Sequence, residues 1–265
     1  MTDIAVIILQ KNERLHIKRC LEKLAPLEPR QIFVVDCYST DGSDKIAAEM
    51  GATVVYHEWP GNQAAQFNWA LDNLPIESQW VLRLDADEYL YPETCEEVKK
   101  LVTAGGLPPD VTSLSFPLSR HIFGGNIRHG NPMIELVRAF KFGYGRSSNA
   151  EMDEQIVVRE GRNYKLKGKF VDDSLLSLNA WKEKHRNYAK REARMAVTGR
   201  ANRNKRFYYK FPPYFRAFAY FCLRYFIKGG FLDGKAGWMW HFWQGLWYRC
   251  LVDSEIGRLR RARKV

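Results

Sequence analysis

The fold class predicted by this sequence is α/β: a mixed, mainly parallel sheet flanked by helices, continued by a C-terminal helical extension. Three observations predict it. Over the first hundred residues, short apolar runs alternate with helix-like segments, the pattern of a parallel sheet covered on both faces. Several of those runs end in polar or acidic residues, as strands do where an open sheet binds ligands. The last sixty residues change character, with aromatic side chains interleaved with lysine and arginine.

In order, residues 4–9 read as the first strand and 14–24 as a helix. Residues 31–36 form the second strand and 43–50 a short helix. A third strand over 53–56 leads to a helix over 63–74 that Asn62 opens as its cap. Residues 80–84 are the fourth strand and 92–102 the next helix. Gly105-Gly106-Leu107-Pro108-Pro109 then breaks the pattern. Short strands at 111–117, 140–144 and 155–159, set between glycine-rich turns, predict an antiparallel extension of the sheet. Residues 177–200 predict a long helix with a basic surface.

A chain of 265 residues can bury one full core. Its net charge of +11 is unevenly spread: residues 1–150 hold 15 basic and 19 acidic side chains, and the remainder holds 26 and 11. Such asymmetry suggests an anionic partner for the second half, whether nucleic acid, membrane surface or phosphorylated substrate. The cations cluster with tryptophan-rich apolar sequence and not along a recognisable reader module, which argues against nucleic acid. Cys20, Cys37, Cys95, Cys222 and Cys250 form no C-x-x-C pair, so neither a zinc site nor a disulfide framework is indicated and a reducing cytoplasm is expected. The first apolar run is too short for a signal peptide and lacks its basic flank. No stretch reaches the roughly 18 uninterrupted apolar residues of a spanning helix. Four of the eight tryptophans lie between Trp238 and Trp247. Helices with such aromatics and flanking cations lie in membrane interfaces, so residues 207–250 are expected to touch a membrane surface. The alternative is a helical lid whose aromatics form its own core.

The chemistry-bearing residues sit at strand ends. The run Trp80-Val-Leu-Arg-Leu-Asp85-Ala-Asp87-Glu88 stops in three carboxylates. If extended backbone continues, Asp85 and Asp87 point the same way, and two hard oxygen donors suit Mg²⁺ or Mn²⁺. The alternative is a solvated acidic turn. The second strand ends Val34-Val35-Asp36-Cys37-Tyr38-Ser39-Thr40-Asp41-Gly42, and the first ends Gln10-Lys11-Asn12-Glu13. Carboxylates there can accept from a base N–H or from ribose hydroxyls, while Ser-Thr-Asp-Gly can also simply cap a helix. A nucleotidyltransferase would show a glycine-rich phosphate loop early in the chain, and residues 5–13 contain no glycine.

V-V-D-x-x-S-T-D-G after an N-E strand end, followed by D-A-D-E, closely resembles the family 2 glycosyltransferases, inverting enzymes with the GT-A (Rossmann-like) fold. Residues 61–68 fall where that family has a donor-site helix, although Gln66 and Phe67 stand where an arginine is frequent. Residues 152–155 occupy the slot of its acidic acceptor-site motif. The pattern Trp181-x-x-x-His185-x-x-Tyr188-x-x-x-Glu192 resembles a subset acting on bacterial surface polysaccharides. Residues 231–237 and the aromatic run resemble the membrane-associating tail of that subset, which includes enzymes of lipopolysaccharide core assembly.

The resemblance implies a GT-A catalytic domain over 1–205, with a nucleotide-sugar-binding part over 1–104 and an acceptor-binding part over 105–205. Residues 206–265 would then be an amphipathic helical membrane-associating region. Asp36 would contact the base and Glu13 the ribose, with Gln10, Asn12, Ser39, Asp41, Gln66, Asn68 and Ala86 completing the donor site. Asp85 would lie near ribose and metal, and Asp87 would ligate Mn²⁺ or Mg²⁺ directly. Asp153 or Glu154 would be the catalytic base. His185 is a further candidate metal ligand, or else a histidine packed against Trp181 and Tyr188. Arg128, His129, Lys182 and Arg186 are candidate acceptor contacts; Lys182, Arg186, Lys190 and Arg194 equally fit a solvated basic stripe. The expected activity is metal-dependent inverting transfer from a UDP-sugar, more than a GDP-sugar, to a lipid-linked saccharide in bacterial envelope or exopolysaccharide synthesis. The expected location is the cytoplasmic face of the inner membrane, held peripherally. Transfer to a lipid A-core acceptor is the alternative, and a non-catalytic nucleotide- or nucleic-acid-binding protein a remoter one.

Overall fold

The computed structural model describes residues 1–103, 105–131, 133–148, 154–199 and 203–262. Two compact units divide the chain, one of residues 1–119 with 133–173, the other of residues 120–132 with 174–265. The expected boundary at 205/206 follows the change in composition. Packing draws it elsewhere, because the long helix before residue 200 shares its core with the last helix.

The first unit carries strands β1 (Thr2–Gln10), β2 (Pro29–Asp36), β3 (Thr53–Tyr56), β4 (Trp80–Asp85), β5 (Glu88–Leu90) and β6 (Val111–Ile122), the last running on into the second unit. The second unit holds β7 (Gly125–Ile127), which pairs antiparallel with the far end of β6. Back in the first unit come β8 (Glu135–Lys141), β9 (Gly145–Ser147), β10 (Ile156–Val158), β11 (Arg162–Lys165) and β12 (Phe170–Ser174). Among the described residues the strand order is β3-β2-β1-β4-β8-β6-β12-β5. Strands β3, β2, β1 and β4 run parallel, and β8 joins β4 antiparallel. This is the mixed sheet flanked by helices that was expected.

Strand β1 is buried from Ile4 to Gln10, as a central parallel strand covered on both faces must be. Ile4, Val6 and Ile8 pack on one side with α1 (Ile17–Leu24), α2 (Ser43–Glu49) and residues of 92–102. Ala5, Ile7 and Leu9 pack on the other with α3 (Gln63–Asn73). Asn62 caps α3 as expected, its Oδ1 accepting from Ala65 N at 2.7 Å. Helix α4 (Pro92–Val102) starts on a proline, whose missing N–H costs nothing at a helix's first turn.

In the second unit, α5 (Leu178–Thr198) is capped by Ser177 and ends at Gly199, whose φ of 74° suits glycine. Helices α6 (Arg203–Tyr208), α7 (Phe215–Cys222), α8 (Gly234–Trp240) and α9 (Tyr248–Ala262) follow, with widened π-helical turns after α7 and α8. Ala189 and Ala193 of α5 meet Tyr248, Val252 and Ile256 of α9. No described helix is long and apolar enough to cross a membrane.

Candidate active site

Parallel register brings the strand ends into one row. Gln10 stands beside Asp36 across β1 and β2, and Leu9 beside Asp85 across β1 and β4. These are the carboxy ends of adjacent strands, where open α/β sheets bind ligands. Asp36 is fully buried. Its Oδ2 accepts from Gln10 Nε2 at 2.7 Å and its Oδ1 from Ser39 N at 2.6 Å; a carboxylate retains further acceptor sites beyond these two.

The loops after β1 and β2 are tied to each other. Asn12 N donates to Ser39 Oγ at 2.8 Å, and Thr40 N donates to Asn12 Oδ1 at 2.8 Å. Asn12 and Tyr38 hold φ near 55°, a left-handed conformation that this cross-tie stabilises. Asp41 accepts from Arg14 N at 2.9 Å and from Ser43 N and Oγ at 3.0 and 2.6 Å. Burial raises the Asp41 carboxyl, but these donors outweigh it and hold it below the usual range. Glu13 Oε2 lies 2.5 Å from His16 Nδ1. Asn12, Ser39 and Asp41 therefore shape the loops that surround Asp36.

Gln66 and Asn68 are likewise engaged by α3's surroundings. Gln66 Oε1 meets His57 Nδ1 at 2.7 Å. Asn68 pairs with both backbone groups of Ser147, at 2.9 Å each way. Arg83 Nη1 donates to Ser147 Oγ at 3.2 Å.

Extended backbone stops at Asp85, and Ala86 and Asp87 form a turn into β5, so strand alternation does not reach Asp87. Glu88 makes the turn: its Oε2 accepts from Asp85 N at 2.9 Å and its Oε1 from Arg138 Nη2. Burial pushes the Glu88 carboxyl up to about 8; Asp85 and Asp87 push the same way, and Arg138 opposes them. Ala86, itself part of the turn, is buried.

Asp85 supplies the test for a divalent cation. Its Oδ1 is buried with no hydrogen-bond partner, and Arg83 Nη2 stands 3.7 Å away. A carboxylate oxygen at a strand end that accepts no hydrogen bond fits a hard cation. Among the described residues no group of three His, Cys, Asp or Glu side chains is placed to hold a metal. Asp85 and Asp87 suit an ion that keeps waters and takes substrate oxygens, as Mg²⁺ and Mn²⁺ do.

The fold adds residues that sequence reasoning missed. Strand β12 pairs antiparallel with β5, setting Asp172 opposite Glu88, and Asp173 N donates to Asp87 O at 3.0 Å. Asp173 is held by Arg19 at 2.8 Å and Tyr89 OH at 3.2 Å. Buried Arg138 answers this acidity. Burial works against its charge, but Glu88, Asp85, Asp172 and Asp87 outweigh it. Phe170-Val171-Asp172-Asp173 repeats in miniature the apolar run ending in carboxylates, which was the available signal.

Glu154 precedes β10, and Asp153 lies outside the described residues. Arg128, His129, Lys182, His185 and Arg186 belong to the second unit. There His185 stacks on Trp181 at 3.5 Å, and its Nδ1 donates to Trp181 O at 2.8 Å. Burial pushes its pKa down to about 4. This geometry supports the packed reading of His185. Lys182 lies 3.7 Å over the Trp243 ring, and Arg186 pairs with Glu183 at 2.6 Å. Asp233 accepts from the backbone N–H groups of Arg128 and His129 at 2.9 and 2.8 Å, and its Oδ1 lies 2.6 Å from His129 Nδ1.

The sequence model described as Glycosyl transferase family 2 matches residues 5–141, just over half of the chain. The chain belongs to glycosyl transferase family 2. The matched segment contains the strand-end row from Gln10 to Glu88 and the buried Arg138. Similar curated proteins include an uncharacterized glycosyltransferase of Rickettsia felis, 33% identical over 99 residues, covering 37% of this chain and 34% of that protein. Another, from Rickettsia conorii, is 34% identical over 96 residues, covering 36% and 33%. The match thus spans about a third of the length of these relatives. Among solved structures, glucosyl-3-phosphoglycerate synthase from Mycobacterium tuberculosis, in complex with Mn²⁺, UDP and glucosyl-3-phosphoglycerate, aligns with a TM-score of 0.36 at 19% identity, over 44% of each chain. Mannosyl-3-phosphoglycerate synthase from Rubrobacter xylanophilus aligns with a TM-score of 0.36 at 19% identity, over 44% of this chain and 40% of that one.

Proposed function

We propose that this family 2 chain is an inverting, metal-dependent glycosyltransferase. It moves a sugar from a nucleotide-sugar, UDP-linked more than GDP-linked, to a lipid-linked saccharide in bacterial envelope or exopolysaccharide synthesis. Its work lies at the cytoplasmic face of the inner membrane, where residues 207–250 meet the lipid surface. The observation that supports the donor reading is the aligned row of Gln10, Asp36 and Asp85 at parallel strand ends, with an Asp85 oxygen that accepts no hydrogen bond.

In this reading Asp36 accepts from the base, and Glu13 with Asp85 faces the ribose. Asp85 and Asp87 hold the ion, which when bound neutralises charge on the diphosphate. Glu154, or Asp153 beside it, takes the proton of the acceptor hydroxyl as its oxygen bonds to the anomeric carbon. The bond to the diphosphate oxygen breaks on the opposite side, so configuration inverts and the nucleoside diphosphate leaves with the electron pair. Lipid A-core is the alternative acceptor. The test is titration of the protein with UDP, GDP and their sugars, with and without Mn²⁺, followed by transfer assays on Glu154→Gln and Asp153→Asn. Metal-independent binding, or full activity in both variants, defeats the assignment.

A further inference from the structure

The second unit exposes apolar side chains that its own core does not take. Phe226, Ile227, Phe231, Leu232 and Trp238 are all exposed, Ile227 at 78% and Leu232 at 62%. They are contiguous: Tyr225 lies 5.1 Å from Phe226, 6.3 Å from Phe231 and 5.4 Å from Trp238, between ring centres. Leu232 N donates to Gly229 O at 2.9 Å, closing the tip of the 227–232 turn. Apart from Trp238, the tryptophan run does not form this face. Trp240 is buried, and Trp243 and Trp247 pack with it around Trp181. A helical turn must bury one side, and here Trp238 alone of the four is exposed.

Charge on the same face has one sign. Lys228 and Lys235 are exposed, as are Arg128 and His129, which Asp233 anchors beside Leu232. Asp233 is the only acidic residue between 206 and 252. Its carboxylate is 3% exposed and already bound by two backbone N–H groups and His129. Among the described residues the face thus offers apolar tips and cations, and its one nearby acid, Asp233, is already engaged.

We propose that this face docks on an anionic phospholipid surface, with Phe226, Ile227, Phe231, Leu232 and Trp238 entering the interface and Lys228, Lys235 and Arg128 meeting phosphates. It rests on the membrane reading of residues 207–250 and names the residues and the lipid charge. A second copy of the chain fits this face less well. An isologous contact would bring its lysines together without an acid to meet them, and lysine is depleted in protein interfaces. At a bilayer, by contrast, lysine stems lie along apolar surface while their ammonium groups reach phosphate.

The experiment is co-sedimentation of the full chain with vesicles of phosphatidylcholine alone and of equal parts phosphatidylcholine and phosphatidylglycerol. Binding is expected to the mixed vesicles, falling as salt rises. Ile227→Ser/Phe231→Ser/Leu232→Ser should weaken it by at least about tenfold, and Lys228→Ala/Lys235→Ala by roughly tenfold on the anionic vesicles alone. All five positions are exposed, and circular dichroism checks that each variant is folded. If wild type binds and both variants bind as well, this face is wrong while the membrane reading stands. If wild type binds neither vesicle, the membrane reading fails with it. Equal binding to both vesicles rejects the anionic partner. A dimer in light scattering that the serine variant abolishes makes the face a self-interface and overturns the proposal.

Discussion

The two units treat their acidic side chains differently. In the second unit, the buried acids Glu192, Asp233 and Asp253 are saturated. Glu192 accepts from Tyr209 OH at 2.8 Å, Tyr248 OH at 2.7 Å and Arg249 at 2.8 Å. Asp253 is held by Arg216 and by Tyr214 N. In the first unit, Asp85 stands at a strand end with an oxygen that accepts no hydrogen bond and faces only the Arg83 guanidinium at 3.7 Å among the described residues. Saturated acids cement a scaffold, because removing them orphans several buried donors. One without a hydrogen bond at the carboxy end of an inner strand can still accept a cation. Burial pushes the Glu192 carboxyl up, yet Arg249, Lys205 and two tyrosine hydroxyls outweigh it and hold it low.

The largest test of this contrast is Glu192→Ala, which should lower stability by ~3–5 kcal/mol, read from urea unfolding by tryptophan fluorescence. An unchanged midpoint would remove the scaffold half of the comparison. Asp87→Ala should instead weaken Mn²⁺-dependent UDP binding on the order of 100-fold while moving stability by less than about 0.5 kcal/mol. Calorimetric titration decides it, and a variant that loses stability but keeps binding would invert the contrast.

Acid should act on the second unit. Burial pushes His185 and His241 down to about 4 from 6.5. The folded state then binds fewer protons than the unfolded chain between those values. The stability these neutral imidazoles contribute is complete above about pH 6.5 and lost as pH falls through 4, on the order of 1–3 kcal/mol in all. A urea midpoint flat across that window would count against it. The smallest effect belongs to Arg138→Lys, which keeps the charge behind the D-A-D-E turn but loses the guanidinium fork. It should cost a few-fold, roughly threefold to tenfold, in Mn²⁺-dependent nucleotide affinity. Wild-type affinity would mean that Arg138 plays no part in positioning Glu88.

What the chain order alone determined is the first half of the sheet. Strands β1 to β4 and their helices follow from apolar runs of strand length and from Asn62 as a cap, all short-range signals. The placement of Asp36 and Asp85 at strand ends follows from them. Pairing between distant segments was invisible, because antiparallel register across eighty residues leaves no local trace. It set Asp172 against Glu88 and put Arg138 beneath the turn. Composition likewise marked residues 206–265 as aromatic and basic. It did not say which aromatics turn inward. That is fixed by steric fit around Trp181, which buries Trp240 while Ile227 stays exposed.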